Sequence, residues 1–88
     1  MIVVKRKGHR ENFDEKKVYG SVYAACLNAH MHEGKCEEIA GHVSGEVRKW
    51  AEEKKQVDSK EIMEKTHLHL EKKSRDAAFL YRTHLDVS

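Results

Sequence analysis

Four windows of this chain repeat their apolar residues at the helical period, and none of its 88 residues is a proline that would interrupt them. In the first, Val18, Val22, Ala25, Cys26 and Ala29 fall at i, i+4, i+7, i+8 and i+11, with Tyr19 and Tyr23 at the margin. That stripe predicts a helix from about Glu15 to His30 with one face on a core. A polar loop over Met31 to Lys35, with Gly34 as a turn residue, precedes the second stripe. Ile39, Ala40, Val43, Val47, Trp50 and Ala51 predict a helix from near Cys36 to about Lys54. Gly41 and Gly45 weaken it by roughly 1 kcal/mol each relative to alanine, and their shared side is either open to solvent or closely approached by another element. Glu52 to Gln56 is a charged, solvated end. The third stripe, Ile62, Thr66 and Leu70 with His69 at its edge, starts from a cap at Asp58 or Ser59, where Asp58 and Glu61 have capping-box spacing. A break at Lys73-Ser74 leads to the fourth, with Ala77, Ala78, Leu80, Tyr81 and Leu85 facing inward and Asp86 to Ser88 frayed.

Two short strands are expected ahead of these helices. Ile2-Val3-Val4 is β-branched, a Lys7-Gly8 turn follows whose glycine can take a positive φ, and the partner strand covers roughly His9 to Phe13. Asp14 then stands as an N-cap acceptor for the first helix. Val57, a lone apolar residue before Asp58, is placed as a third, very short strand. One α+β domain over residues 1–88 results, a small sheet followed by four helices. Its charged fraction of 36% and apolar fraction of 39% fit a folded domain with a heavily solvated surface, because the apolar residues are periodic. The longest apolar runs, Ile2 to Val4 and Tyr23 to Leu27, fall far short of the ~20 residues of a membrane span, and the N-terminal order is wrong for a signal peptide. A cytoplasmic protein, without a membrane partner, is therefore expected. Two cysteines, Cys26 and Cys36, are too few to staple a secreted domain and are expected to be reduced.

Charge is concentrated in the strand region. Residues 2–18 hold Lys5, Arg6, Lys7, Arg10, Lys16 and Lys17 against Glu11, Asp14 and Glu15, about +3, more than the +2 of the whole chain. A hairpin holds cations at fixed spacing, and the first turn of the following helix places Lys17 beside amides that favour an anion. Lys5, Arg6, Arg10 and Lys17 can thus surround a triphosphate, although on charge pattern alone an ordinary basic surface is the favoured reading. Neither GxxxxGK[ST] nor GxGxxG occurs, which weighs against ATP hydrolysis or a Rossmann site. No Ser/His/Asp or Cys/His nucleophile arrangement can be assembled, and no enzyme activity is expected.

The run VVKRKGHRENFDEKKV at positions 3 to 18 resembles the opening signature of the ATP-cone, a nucleotide-binding regulatory domain of many ribonucleotide reductases and of the bacterial repressor of their genes. VYGSVYAACLNA is similar to that family's first helix, Ile39 to Val47 to its second, VDSKEI at 57 to 62 to its third strand and helix entry, and DAAFLYRTH at 76 to 84 to its last helix. The resemblance covers essentially the whole chain. It implies a three-stranded mixed sheet capping a four-helix bundle, with ATP or dATP, and with it magnesium, held between the two. By the same resemblance Val3, Lys5, Glu11, Asp14 and Lys17 match nucleotide-contacting positions, Arg6 the basic position beside them, and Ser59 the hydroxyl at the start of the third helix. Lys5, Arg6 and Lys17 would take the phosphates, and Asp14 or Glu11 the adenine amino group. Lys7 stands where the family usually has a small polar residue before glycine, and Met63 where some members have histidine. With no room for a reductase's catalytic domain or a repressor's zinc ribbon, the chain is expected to be free-standing, acting on a ribonucleotide reductase or another protein in trans, or through self-association.

Two other readings remain. The basic hairpin suits a small nucleic-acid-binding protein, although Glu11, Asp14 and Glu15 beside it weigh against nucleic acid as a partner. Cys26, His30, His32, Cys36 and His42 lie close enough in sequence to suggest a zinc-binding helical adaptor, but the spacing is not a standard finger and Cys26 belongs to a core-facing stripe, so no metal ligand is assigned. His67, His69 and His84 are expected to be packed or exposed.

Overall fold

In the computed structural model, residues 2–4 and 8–87 are described, with side chains through Thr83; what is expected of Lys5, Arg6 and Lys7 lies outside the described residues. The elements are β1 (Ile2–Val4), β2 (Arg10–Asn12), α1 (Glu15–Asn28), α2 (Glu33–Glu52), β3 (Gln56–Asp58), α3 (Ser59–Lys73) and α4 (Arg75–Val87). The fold is α+β, a three-stranded mixed sheet with four helices, in the strand order β2-β1-β3. Gly8 adopts φ +77° in the turn, the left-handed region that glycine enters without steric cost. β2 returns antiparallel, pairing Ile2 with Asn12, Val3 with Glu11 and Val4 with Arg10. β3 adds on the other edge in parallel, pairing Val3 with Val57 and Val4 with Asp58. Val3 and Val57 are both buried.

Each helix boundary has a local cause. Asp14 caps α1 by accepting from Lys16 N at 2.9 Å. α1 stops at Asn28 because the chain closes a Schellman turn: His30 N donates to Leu27 O and Met31 N to Cys26 O, with His30 at φ +64°. α2 then begins at Glu33, three residues before the expected start, since His32 Nδ1 serves as a cap for Gly34 N at 3.2 Å. Asp58 and Glu61 form the expected capping box on α3, with Lys60 N donating to Asp58 Oδ1 at 2.8 Å and Asp58 N to Glu61 Oε1 at 3.2 Å. Ser74 ends α3, its N–H donating to Leu70 O, and starts α4, its Oγ accepting from Ala77 N. α4 continues through Val87, past the point where fraying was expected.

The core is built from small and medium side chains, as suits a domain of this size. Val22, Cys26, Cys36, Ala40, Val43, Val47, Leu70 and Ala77 are completely buried between the four helices. Two polar residues among them return their hydroxyls to their own helix, Ser44 Oγ to Gly41 O and Thr66 Oγ1 to Ile62 O, so burial leaves no donor unpaired. The buried Tyr81 brings α4 into the same core, and burial raises the pKa of its hydroxyl.

Space around Gly41 and Gly45 settles their role: a β-carbon at either would meet nothing within 4 Å, so no element approaches closely there. Changing either to alanine should raise stability by about 1 kcal/mol through helix propensity alone. His30→Gly should also stabilise, by relieving a left-handed conformation that costs a residue with a β-carbon roughly 1 kcal/mol. Thermal unfolding followed by circular dichroism checks all three changes, with each kilocalorie expected to move Tm by about 4–8 °C.

Candidate functional site

β1 is the axis of the candidate site. Because β2 runs antiparallel to it and β3 parallel, α1 leaves the sheet from the Ile2 end and α3 from the Val4 end. The two helix starts therefore flank a strand about 7 Å long. Val3 is buried at the centre of that strand, Glu11 is its half-buried partner on β2, Asp14 and Lys17 lie at the start of α1, and half-buried Ser59 is the first residue of α3. The fold brings these five sequence-chosen residues to one sheet and its two helix entries. Lys5 and Arg6 follow Val4 in the chain but lie outside the described residues.

Electrostatics divides the site into fixed and exchangeable contacts. Both helix starts are already capped by their own aspartates, Asp14 on α1 and Asp58 on α3, which leaves phosphate affinity to side chains more than to backbone amides. Lys17 Nζ meets Glu11 Oε1 at 3.4 Å, tying α1 to the hairpin through a pair whose lysine is largely exposed. A second tie runs from α1 to α2, where Arg48 Nε meets Glu15 Oε1 at 3.0 Å and its Nη1 meets Glu52 Oε1 at 2.8 Å. Sequence reading did not single out Arg48. Its spacing to Glu52 was visible, but its link to Glu15 depends on the antiparallel packing of α1 on α2.

The cysteine and histidine residues are put to other uses. Cys26 and Cys36 are buried in the core, their thiols in hydrogen-bonding contact, and Cys36 Sγ also donates to Met31 O at 3.6 Å. Burial first, then the charge and hydrogen bond of Cys36, push the Cys26 thiol up to about 11. His32 is a helix cap, while His30 and His42 are exposed. Among the described residues these groups do not converge into a set of three or more that could hold a metal ion. Burial, then Lys72, lower the pKa of half-buried His69, favouring its neutral form. Trp50 carries Lys54 and Lys65 over its ring, at 5.4 and 5.7 Å from the centroid.

The family model of the ATP cone domain matches residues 1–83. The chain is also 34% identical over 92 aligned positions to the transcriptional repressor NrdR of Carboxydothermus hydrogenoformans, an alignment covering 100% of this chain and 58% of that relative. It thus spans a little over half the length of the curated relative it matches. This match corrects one expectation: the acids beside the hairpin do not set nucleic acid aside as a partner, because a transcriptional repressor matches this chain throughout. The physical reason is on the surface just described. Glu11 is paired with Lys17 and Glu15 with Arg48, so these carboxylates are partly neutralised and repel a phosphate less than free ones would.

The thiol pair gives a pH prediction. The Cys26 thiol ionises near 9.0 when unfolded and about 11 when folded, so its stabilising effect is complete below pH 9 and is lost as pH rises through 11. Urea midpoints measured from pH 8 to about 10.5 should fall for the parent and fall less steeply for Cys26→Ala.

Proposed function

Because the chain belongs to the ATP-cone family, we propose that it is a non-catalytic regulatory module that binds ATP or dATP beside β1 and signals through a partner or through self-association. The observation that carries this reading is the sheet register, which gathers Val3, Glu11, Asp14, Lys17 and Ser59 around one strand with two helix entries. The donor set suits the ligand. Lys17, with Lys5 and Arg6 beyond Val4, supplies cations for phosphates; Glu11 and Asp14 supply acceptors for an adenine amino group; Ser59 supplies a hydroxyl. When bound, the nucleotide supplies a multiply charged phosphate chain that competes with Glu11 for Lys17. Such competition distinguishes an occupied from an empty state, which any regulatory shift requires.

The repressor relative favours transcription as the process regulated, with nucleic acid as a direct or indirect partner. Just over half of that relative is matched here, so the output need not reside in these residues alone.

Isothermal titration with ATP and with dATP, each with and without magnesium, tests the reading. Saturable binding is expected, with Lys17→Ala weakening it about tenfold or more, as loss of a charge-assisted bond of ~1.5 kcal/mol implies. No detectable heat at millimolar nucleotide would sink the proposal. Binding to DNA that is steeply salt-dependent and indifferent to ATP would favour the hairpin as a nucleic-acid surface instead.

A further inference from the structure

Both cysteines of the chain are completely buried free thiols in one core cluster. They belong to different helices, Cys26 to the last turn of α1 and Cys36 to the first turn of α2, and a single residue of the connecting turn touches both. Met31 N donates to Cys26 O at 3.1 Å, and Met31 O accepts from Cys36 Sγ at 3.6 Å. The thiols also sense one another, since Cys36 adds to the burial that pushes Cys26 up.

Packing alone does not account for sulfur at both positions. The neighbouring core residues Val22, Ala40 and Val43 fill the same α1–α2 seam with hydrocarbon. Helices whose axes lie ~8–10 Å apart, each with Cα atoms ~2.3 Å from its axis, bring facing Cα atoms into the ~4.4–6.8 Å range that a disulfide spans. A cysteine on each of two facing helix surfaces is therefore a pair that can be bonded without separating the helices.

We propose that Cys26 and Cys36 form a modification site, a dithiol that a disulfide-type oxidant such as glutathione disulfide converts into an intramolecular disulfide locking α1 to α2. The Cys36 thiolate attacks one sulfur of the oxidant, whose S–S bond breaks and releases one glutathione thiolate. Cys26 then loses its proton and attacks the Cys36 sulfur of the mixed disulfide, expelling the second glutathione thiolate. The two cysteine protons end on the two glutathione thiols, so the protein is oxidised by two electrons and the oxidant reduced by two. Burial keeps Cys26 protonated, which places it second in this order. Entry of the oxidant waits on opening of the turn at residues 29–32, which is held by a few backbone bonds, the exposed His32 cap and the left-handed His30. The site lies at the opposite end of α1 from Asp14 and Lys17, and its test uses no nucleotide, so the two proposals stand or fall separately.

The full chain is equilibrated with glutathione and glutathione disulfide in varied ratio, folded in buffer and unfolded in urea, then trapped with iodoacetamide and weighed by intact-mass spectrometry. The folded parent should lose the mass of two hydrogen atoms, remain a single chain on a non-reducing gel and regain the mass with dithiothreitol. Half-oxidation should need a buffer about tenfold or more less oxidising for the folded than for the unfolded chain, because a fold that already holds the sulfurs together favours a bond that the unfolded chain must close by chance. By the same linkage the oxidised protein should show a higher urea midpoint than the reduced one. Cys26→Ala and Cys36→Ala should each take up one glutathione instead. A folded parent that stays reduced at every ratio, that ends as a glutathione adduct or a disulfide-linked dimer, or that oxidises no more readily folded than unfolded would overturn the proposal.

Discussion

β1 is paired along both edges over three residues, and that double pairing decides where the two helix entries of the site lie. A slip of one residue in β3 would turn Val57 to solvent and carry Ser59 to the wrong side of the sheet. Three strands of three residues each cannot stand alone in water. The sheet persists because Val3 and Val57 are buried. Site geometry and core burial are therefore one problem: whatever loosens the sheet from the helices also separates Glu11 from Lys17 and moves Ser59 relative to Val3.

The helices were legible because each carries a one-sided apolar stripe, and the caps at Asp14 and Asp58 because short acceptors stood at the right spacing. The start of α2 was not, because histidine is an uncommon cap and only the side-chain direction of His32 reveals it. His30 hid the end of α1 in the same way, occupying a left-handed position where glycine would have announced the turn. Val57 was recognised as a strand from its neighbours, but its parallel pairing with β1 is a long-range fact that local pattern does not contain. Candidate site residues could be named from motif order, yet their ties could not. The link Glu15–Arg48 requires two helices to be packed first. Phe79 lay outside the inward stripe of its helix, and the structure leaves it exposed accordingly.

The two ties at the start of α1 differ in kind, and the difference bears on how a bound nucleotide would be felt. Glu15 and Arg48 join α1 to α2 at 3.0 Å, and the same two helices share the core through Val22, Cys26, Cys36 and Val43. That pair of helices is held together by buried packing as well as by charge. Lys17 and Glu11 join α1 to the hairpin at 3.4 Å through a lysine that is mostly exposed, an interaction of at most about 1 kcal/mol. A phosphate would draw Lys17 away at little cost, whereas displacing α1 from α2 would disturb buried packing that no single charge can offset. In the response proposed above, the sheet would then be the part that shifts against the helices. Ser59 connects that movement to α3, because β3 runs directly into it, and α3 continues through Ser74 into α4.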